Sequence, residues 1–309
     1  MATFTLKPAP PFRLDLTVWV LRRLPINQVD RWDGQTYRRV LVLEGVPVEV
    51  EVVQTGPPGA PELTVTTKGG WTGSRKLSGL TVALEKMLGL RVDLHSFYAM
   101  AEHDPRLRGL TSPFVGFKPP RLSSVFETLV NGIACQQLSL TVGIHLLNRL
   151  CVSYGLCVDQ HHAFPRPTDL AGAQPQELRG LGFSTRKAQT ILDIARALVE
   201  GRLDLEALSA VDDAAALERL LELKGIGRWT AQYILLRGLG RLDIFPADDV
   251  GSQGKMQRWL GRKNRPDYDR MYRILAPWRP YRGLLYFYLL LNHQSDKGLF
   301  EQMRPALSV

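Results

Sequence analysis

A change of hydrophobic period near residue 110 constrains this chain of 309 residues more than any other feature. Before it, Tyr37–Thr55 (YRRVLVLEGVPVEVEVVQT) holds two β-branched runs hinged at Gly45-Val46-Pro47, and Glu62–Gly69 (ELTVTTKG) alternates Val and Thr. A period of two marks half-buried strands, and the TGPPGAP cluster between the runs marks a turn. A helix is expected over Leu80–Met87, where Leu84, Met87 and Leu88 fall at helical spacing. Beyond residue 110 the period becomes helical. Ser123–Leu150 repeats apolar residues at i, i+3, i+4 and i+7, with Ser123 or Ser124 as N-cap and Glu127 completing a capping box. Thr185–Gly201 starts at Ser184 or Thr185 and stops at a glycine, and Asp212–Gly240 reads as two helices around Gly225-Ile226-Gly227. The pattern predicts an α+β fold: an N-terminal antiparallel β-sheet domain with flanking helices over residues 1–110, then a mostly α-helical region over 111–309. Thr111–Pro120 (TSPFVGFKPP) is rich in Pro and Gly and reads as the linker between them. No period of 20 to 50 residues repeats, which excludes a solenoid.

Composition narrows the function classes. At 45% hydrophobic and 22% charged the chain is an ordinary globular one. No run approaches the roughly 18 apolar residues of a membrane span, and MATFTLKPAPPF lacks the apolar core of a secretory signal. Cys135, Cys151 and Cys157 are odd in number and scattered, which suits a reducing, cytoplasmic compartment rather than a disulfide framework. With no C-x-x-C pair, neither a zinc nor an iron–sulfur site is expected, and no cofactor is called for. His161-His162 after Asp159 reads as a surface loop rather than a metal cluster. The net charge of +9 is uneven: residues 250–309 hold 11 Lys+Arg against 4 Asp+Glu. Spread through apolar and aromatic sequence, that excess suits a folded basic face.

The chemistry-bearing passage is Leu221–Leu236 (LELKGIGRWTAQYILL), followed by Asp243–Gly251 (DIFPADDVG). Two glycines around one apolar residue between amphipathic helices make a tight helix–hairpin–helix, whose second helix presents unpaired N–H groups to an anion such as a DNA phosphate. On G-I-G alone, an ordinary helical hairpin remains equally open. Asp248-Asp249 sits at a helix start after Phe245-Pro246. Capping is a sufficient role for one carboxylate, but two adjacent residues cannot both cap, so one is left to face a cleft.

The order G-I-G-R-W-T-A-Q-Y and then F-P-A-D-D resembles the helix–hairpin–helix DNA glycosylases, and within them the 3-methyladenine DNA glycosylase II family. Ala134–Ser139 (ACQQLS), Leu178–Ile191 (LRGLGFSTRKAQTI) and Pro277–Leu289 (PWRPYRGLLYFYL) extend the match over roughly residues 111–300. The resemblance implies two helical lobes with the active-site cleft between them. It implies that Asp249 is the catalytic carboxylate, that Trp229, Tyr233 and Phe287 line the base pocket, and that amides of Gly225, Gly227 and Thr230 hold a phosphate. Gln137 falls where a residue plugs the duplex gap, and the carbonyls of Leu221, Leu223 and Ile226 fall on a monovalent-cation site. Relatives that also cleave the backbone carry a lysine where Trp229 stands. The implied activity is thus a monofunctional glycosylase that flips alkylated purines out of double-stranded DNA and leaves an abasic site, acting as a monomer. A non-catalytic DNA-binding module and a glycosylase for oxidised bases are the alternatives. Arg258, Arg262, Lys263, Arg265, Arg279 and Arg282 are candidate phosphate contacts, with solvated helix faces the plainer role.

Overall fold

The architecture was read from a computed structural model that describes residues 1–68, 74–296 and 298. Strands β1 (Ala2–Leu6), β2 (Arg31–Trp32), β3 (Thr36–Leu43), β4 (Val46–Gln54) and β5 (Leu63–Lys68) form one antiparallel sheet in the order β1-β5-β4-β3-β2. Pairing of Leu43 with Val46 leaves Glu44 and Gly45 as a two-residue turn. Both take positive φ, 50° and 79°, the conformation that matches the twist of the flanking strands. The hinge therefore precedes Val46 and Pro47, which already belong to β4. Gly69, the end of the predicted third run, lies outside the described residues, as do Lys297 and Arg304 of the basic segment. The helix Ser74–Met87 starts earlier than its predicted Leu80 and buries Leu80, Leu84 and Met87 with Val48, Val50 and Val52 of β4.

The predicted helical run Ser123–Leu150 is two helices, Val125–Cys135 and Leu140–Tyr154, broken where Gln137 takes φ 55° and Ser139 caps the second. The capping box forms in a shifted version. Ser124 Oγ accepts from the Glu127 amide at 3.0 Å, while Glu127 Oε2 accepts from the Ser123 amide at 3.2 Å. These helices build one core with Thr185–Val199, Asp213–Leu221 and Arg228–Arg237. A second core joins both ends of the chain: Leu16, Trp19, Phe97 and Leu107 pack with Met256, Met271, Leu284 and Tyr288. Helix His95–Glu102, which precedes the predicted boundary at residue 110, and helix Pro105–Thr111, which crosses it, thus complete the lobe that the last helices begin.

Thr111–Pro120 is not a solvent-exposed linker. Phe117 is fully buried, and Lys118, 1% exposed, donates from Nζ to the Val92 carbonyl at 2.7 Å. Its prolines and glycine shape irregular backbone that the flanking aromatics anchor in the core. The sheet is tied to the helices by a buried ionic cluster, in which Arg39 bridges Asp30 at 2.8 Å and Glu127 at 2.5 Å. Among the described residues, no helix is long and apolar enough to cross a membrane.

Candidate active site

The hairpin begins where Asp212 caps the helix Asp213–Leu221 by accepting from the Ala215 amide. Gly225 has φ 87°, and a Cβ there would stand 2.6 Å from Thr190 Oγ1, so both backbone shape and space require glycine. Ile226 is buried in the first core, and Gly227 is the N-cap of Arg228–Arg237. No carbonyl precedes the first-turn amides of that helix, among them Thr230, to accept from them within it. The Thr230 side chain is buried and takes a hydrogen bond from Gln136 Nε2 at 2.9 Å; the same amide donates to the Gly225 carbonyl at 3.1 Å. Gln136 thereby fixes the turn that carries Gln137 against the hairpin. Gln137 itself is exposed beside Leu138, which is 43% exposed.

One turn into the same helix, Trp229 stacks on Tyr233 with ring centroids 5.6 Å apart and planes at 22°. That spacing leaves no room for a base between the two rings, so a base would stack on an outer face or displace Trp229. Tyr233 is nearly buried, while Trp229 is half-buried.

Asp249 caps the helix Val250–Trp259. Its Oδ1 accepts from the Gly251 amide at 2.9 Å and its Oδ2 from the Ser252 hydroxyl at 2.7 Å. Asp248 turns to Arg228, accepting at 2.6 and 3.1 Å. The two carboxylates therefore divide their roles differently from the sequence expectation. Asp249 both caps and stays partly exposed, and neither is left without a partner. The loop before them is pinned at several points. Tyr272 donates to the Phe245 carbonyl at 3.1 Å and Gln253 to the Ala247 carbonyl at 2.8 Å. Gln232, buried in the hairpin helix, donates to the hydroxyls of Tyr268 and Tyr272, both at 3.0 Å. The Arg228 guanidinium lies 3.7 Å from the Tyr268 ring centroid. A Cβ on Gly251 would be 3.3 Å from both Asp249 Oδ1 and Lys255 Nζ, so that amine lies at most twice that distance from the carboxylate.

Phe287 is not at the site surface. It is fully buried, packed on Phe117 and beneath the Arg237 guanidinium. The neighbouring Tyr286 is the ring that the helix Arg282–Ser295 presents here. Burial pushes its phenol well above the usual range, and the charge of Asp249 and then Tyr233 push it further. Arg282–Ser295 is apolar around most of its circumference, so its period does not tell the two positions apart.

Tyr286 and Gln232 were not singled out by sequence, nor was Arg23, whose Nη1 is 3.4 Å from the Tyr233 hydroxyl. A charged residue closing the apolar run Trp19–Leu21 was the available signal for Arg23. Of the candidate phosphate contacts, Arg282 is withdrawn from solvent, paired with Asp243 at 2.6 Å and 4.9 Å from the Tyr272 ring centroid. Arg262, Lys263 and Arg265 are exposed. His161 Nδ1 lies 3.0 Å from Glu49, and no group of three or more metal-ligating side chains occurs among the described residues.

Residues 130–280 match the family model described as HhH-GPD superfamily base excision DNA repair protein. The chain is 29% identical over 282 residues to a putative DNA-3-methyladenine glycosylase of Bacillus subtilis, covering 91% of this chain and 95% of that one. It is 33% identical over 187 residues to DNA-3-methyladenine glycosylase 2 of Escherichia coli, covering 59% and 64%. The solved 3-methyladenine DNA-glycosylase of Archaeoglobus fulgidus superposes with a TM-score of 0.81 at 28% identity, over 96% of this chain and 99% of that one.

Proposed function

This chain belongs to the 3-methyladenine DNA glycosylase II family of the HhH-GPD superfamily, and we propose that it is a monofunctional enzyme releasing alkylated purines from double-stranded DNA. The observation that carries this reading is the position of the Asp249 carboxylate. It is fixed by the Gly251 amide and Ser252 hydroxyl, in a loop whose neighbouring Asp248 is held at 2.6 Å by Arg228 of the hairpin helix.

The hairpin amides would grip a phosphate without reading sequence. Gln137, projecting from its turn, would fill the gap left by a flipped nucleotide. An alkylated purine nucleotide carries positive charge, which the electron-rich faces of Trp229 and Tyr233 attract, at about 0.5–2 kcal/mol per contact. Breaking the N-glycosidic bond sends its electron pair to the departing base and leaves an oxocarbenium-like sugar. The Asp249 carboxylate stabilises that charge and takes a proton from the water that adds to the sugar carbon. A monovalent cation on the carbonyls of Leu221, Leu223 and Ile226 would stiffen the hairpin. Three neutral oxygens suit a single charge, and Leu223 keeps one lone pair beyond its bond from the Ile226 amide. The enzyme acts as a monomer in a reducing cytoplasm, a state that sedimentation of the pure protein checks.

The test is incubation with methylated duplex DNA and analysis of released bases, with wild type beside Asp249→Asn. Release of 3-methyladenine or 7-methylguanine by wild type alone is expected; equal release by both overturns the role of Asp249. Lys255 favours a second reading, a glycosylase that also cleaves the backbone, because its amine is near the carboxylate. Borohydride trapping of a covalent protein–DNA adduct that Lys255→Gln abolishes would establish that reading instead.

A further inference from the structure

The turn between the helices Val125–Cys135 and Leu140–Tyr154 is held from a third helix. Lys187 Nζ donates to the Ala134 carbonyl at 3.1 Å and to the Gln136 carbonyl at 2.7 Å, on either side of Cys135. Other carbonyls of the turn are taken by its own amides, Gly132 and Ile133 by Gln136 and Cys135 by Leu138. The ammonium thus supplies donors to a helix C-terminus, where a cation is favoured. Its place in its own helix is less favourable. Ser184 caps Thr185–Val199 by accepting from the Lys187 amide at 3.3 Å, and the first turn holds Arg186 and Lys187 with no acidic residue. A cation there opposes the helix dipole, so Lys187 is explained by the turn it holds rather than by the helix it belongs to. Arg186 is exposed, whereas Lys187 is half-buried and burial lowers its pKa from the ordinary lysine range.

The clamped turn carries Gln137, an exposed residue at φ 55°. A non-glycine residue in the left-handed region costs backbone energy and persists where its surroundings hold it there. The same turn is tied to the hairpin by the Gln136 side chain, which donates to the Gly225 carbonyl and the Thr230 hydroxyl. Thr190, three residues beyond Lys187, backs Gly225 so closely that a Cβ there would stand 2.6 Å from its Oγ1. One helix therefore supports both the turn and the hairpin, and with them the spacing between Gln137 and the first amides of Arg228–Arg237.

Resting on the glycosylase reading, in which Gln137 fills the gap left by a flipped nucleotide, we propose that Lys187 is a positioning residue for that insertion. Its bonds to the Ala134 and Gln136 carbonyls keep Gln137 arranged for entry before the duplex arrives, so less freedom is lost on insertion. Lys187 then acts where a gap exists to be filled and adds nothing to the grip on intact duplex.

The test measures Kd for two otherwise identical duplexes, one intact and one carrying a tetrahydrofuran abasic analogue. The proteins are wild type, Lys187→Met, Lys187→Arg, Gln137→Ala and the double variant Lys187→Met with Gln137→Ala. The readout is the ratio of the two constants, which does not depend on the fraction of protein folded. Lys187→Met should lower the preference for the abasic duplex on the order of tenfold, the scale of one lost hydrogen bond to a charged group. Lys187→Arg, which can still donate to two carbonyls, should keep most of it. The double variant should lose no more than Gln137→Ala alone, because a residue that acts through the plug has no effect once the plug is gone. A ratio unchanged in Lys187→Met, even with both affinities weakened, would make Lys187 an ordinary support or phosphate contact and overturn the proposal. A double variant that loses more than Gln137→Ala, or a wild type with no preference for the abasic duplex, would do the same. Release of 7-methylguanine from methylated duplex by wild type is measured beside these. If the base is released, those outcomes remove the role of Lys187 and leave the glycosylase reading intact; if it is not, both fall together.

Discussion

The Ser252 hydroxyl donates to Asp249 Oδ2 at 2.7 Å from a side chain only 3% exposed, and Ser252 belongs to the very helix that Asp249 caps. Capping and catalysis need not compete at this residue. The helix amide and the hydroxyl each hold one carboxylate oxygen, so the bonds that cap the helix also fix the orientation in which the group meets a cationic sugar.

Replacing Ser252 by Ala should therefore slow base release by roughly 10- to 150-fold, since a hydrogen bond to a charged group contributes about 1.5–3 kcal/mol. Binding to a duplex containing a stable abasic analogue should be unchanged, because nothing at the hairpin is altered. Single-turnover rates beside equilibrium binding separate the two. Loss of binding in parallel with rate would mean that Ser252 supports the fold rather than the carboxylate.

Trp229→Ala should lower the rate on 7-methylguanine more than on hypoxanthine, by roughly 2- to 30-fold for the ~0.5–2 kcal/mol of a cation–π contact. Trp229→Phe should fall between them. Equal losses on both bases would assign Trp229 to shape rather than charge.

What the sequence conveyed about this site was local in the chain. Gly225, Gly227, Trp229 and Tyr233 lie within one turn and one helix, so their spacing alone sets their relation, and the later carboxylate pair sits at a recognisable helix start. Arg23 could not be read that way, because the contact that gives it meaning joins it to a Tyr 210 positions later. The full burial of Phe287 could not be read either, because its helix is apolar on most sides, which removes the signal that tells inside from cleft. The same limit applies to Thr111–Pro120. Proline and glycine report irregular backbone, but only the partners of Phe117 and Lys118 show whether that backbone is buried.

Arg39→Met should destabilise the protein by about 3–5 kcal/mol, because it strands the buried carboxylates of Asp30 and Glu127 without their shared cation. Urea titration with the same slope and a lower midpoint would express this loss. Adding Asp30→Asn and Glu127→Gln to the same chain should recover much of it, since no unpaired charge then remains. A single variant as stable as wild type would mean that the cluster is hydrated rather than dry.

Gly225→Ala tests the hairpin against the rest of the site. The added methyl meets Thr190 Oγ1, and φ of 87° is unfavourable for any side chain, so the turn must shift and carry the first amides of Arg228–Arg237 with it. Duplex affinity should fall while the dependence of log Kd on log salt changes little, because backbone amides carry no net charge and so release few counterions. The double variant Gly225→Ala with Thr190→Ala relieves the clash but not the backbone cost, so it should recover only part of the affinity. Full recovery would show that space rather than φ decides the glycine. An unchanged duplex affinity would mean that phosphate is held elsewhere, with exposed Arg262, Lys263 and Arg265 the next residues to replace.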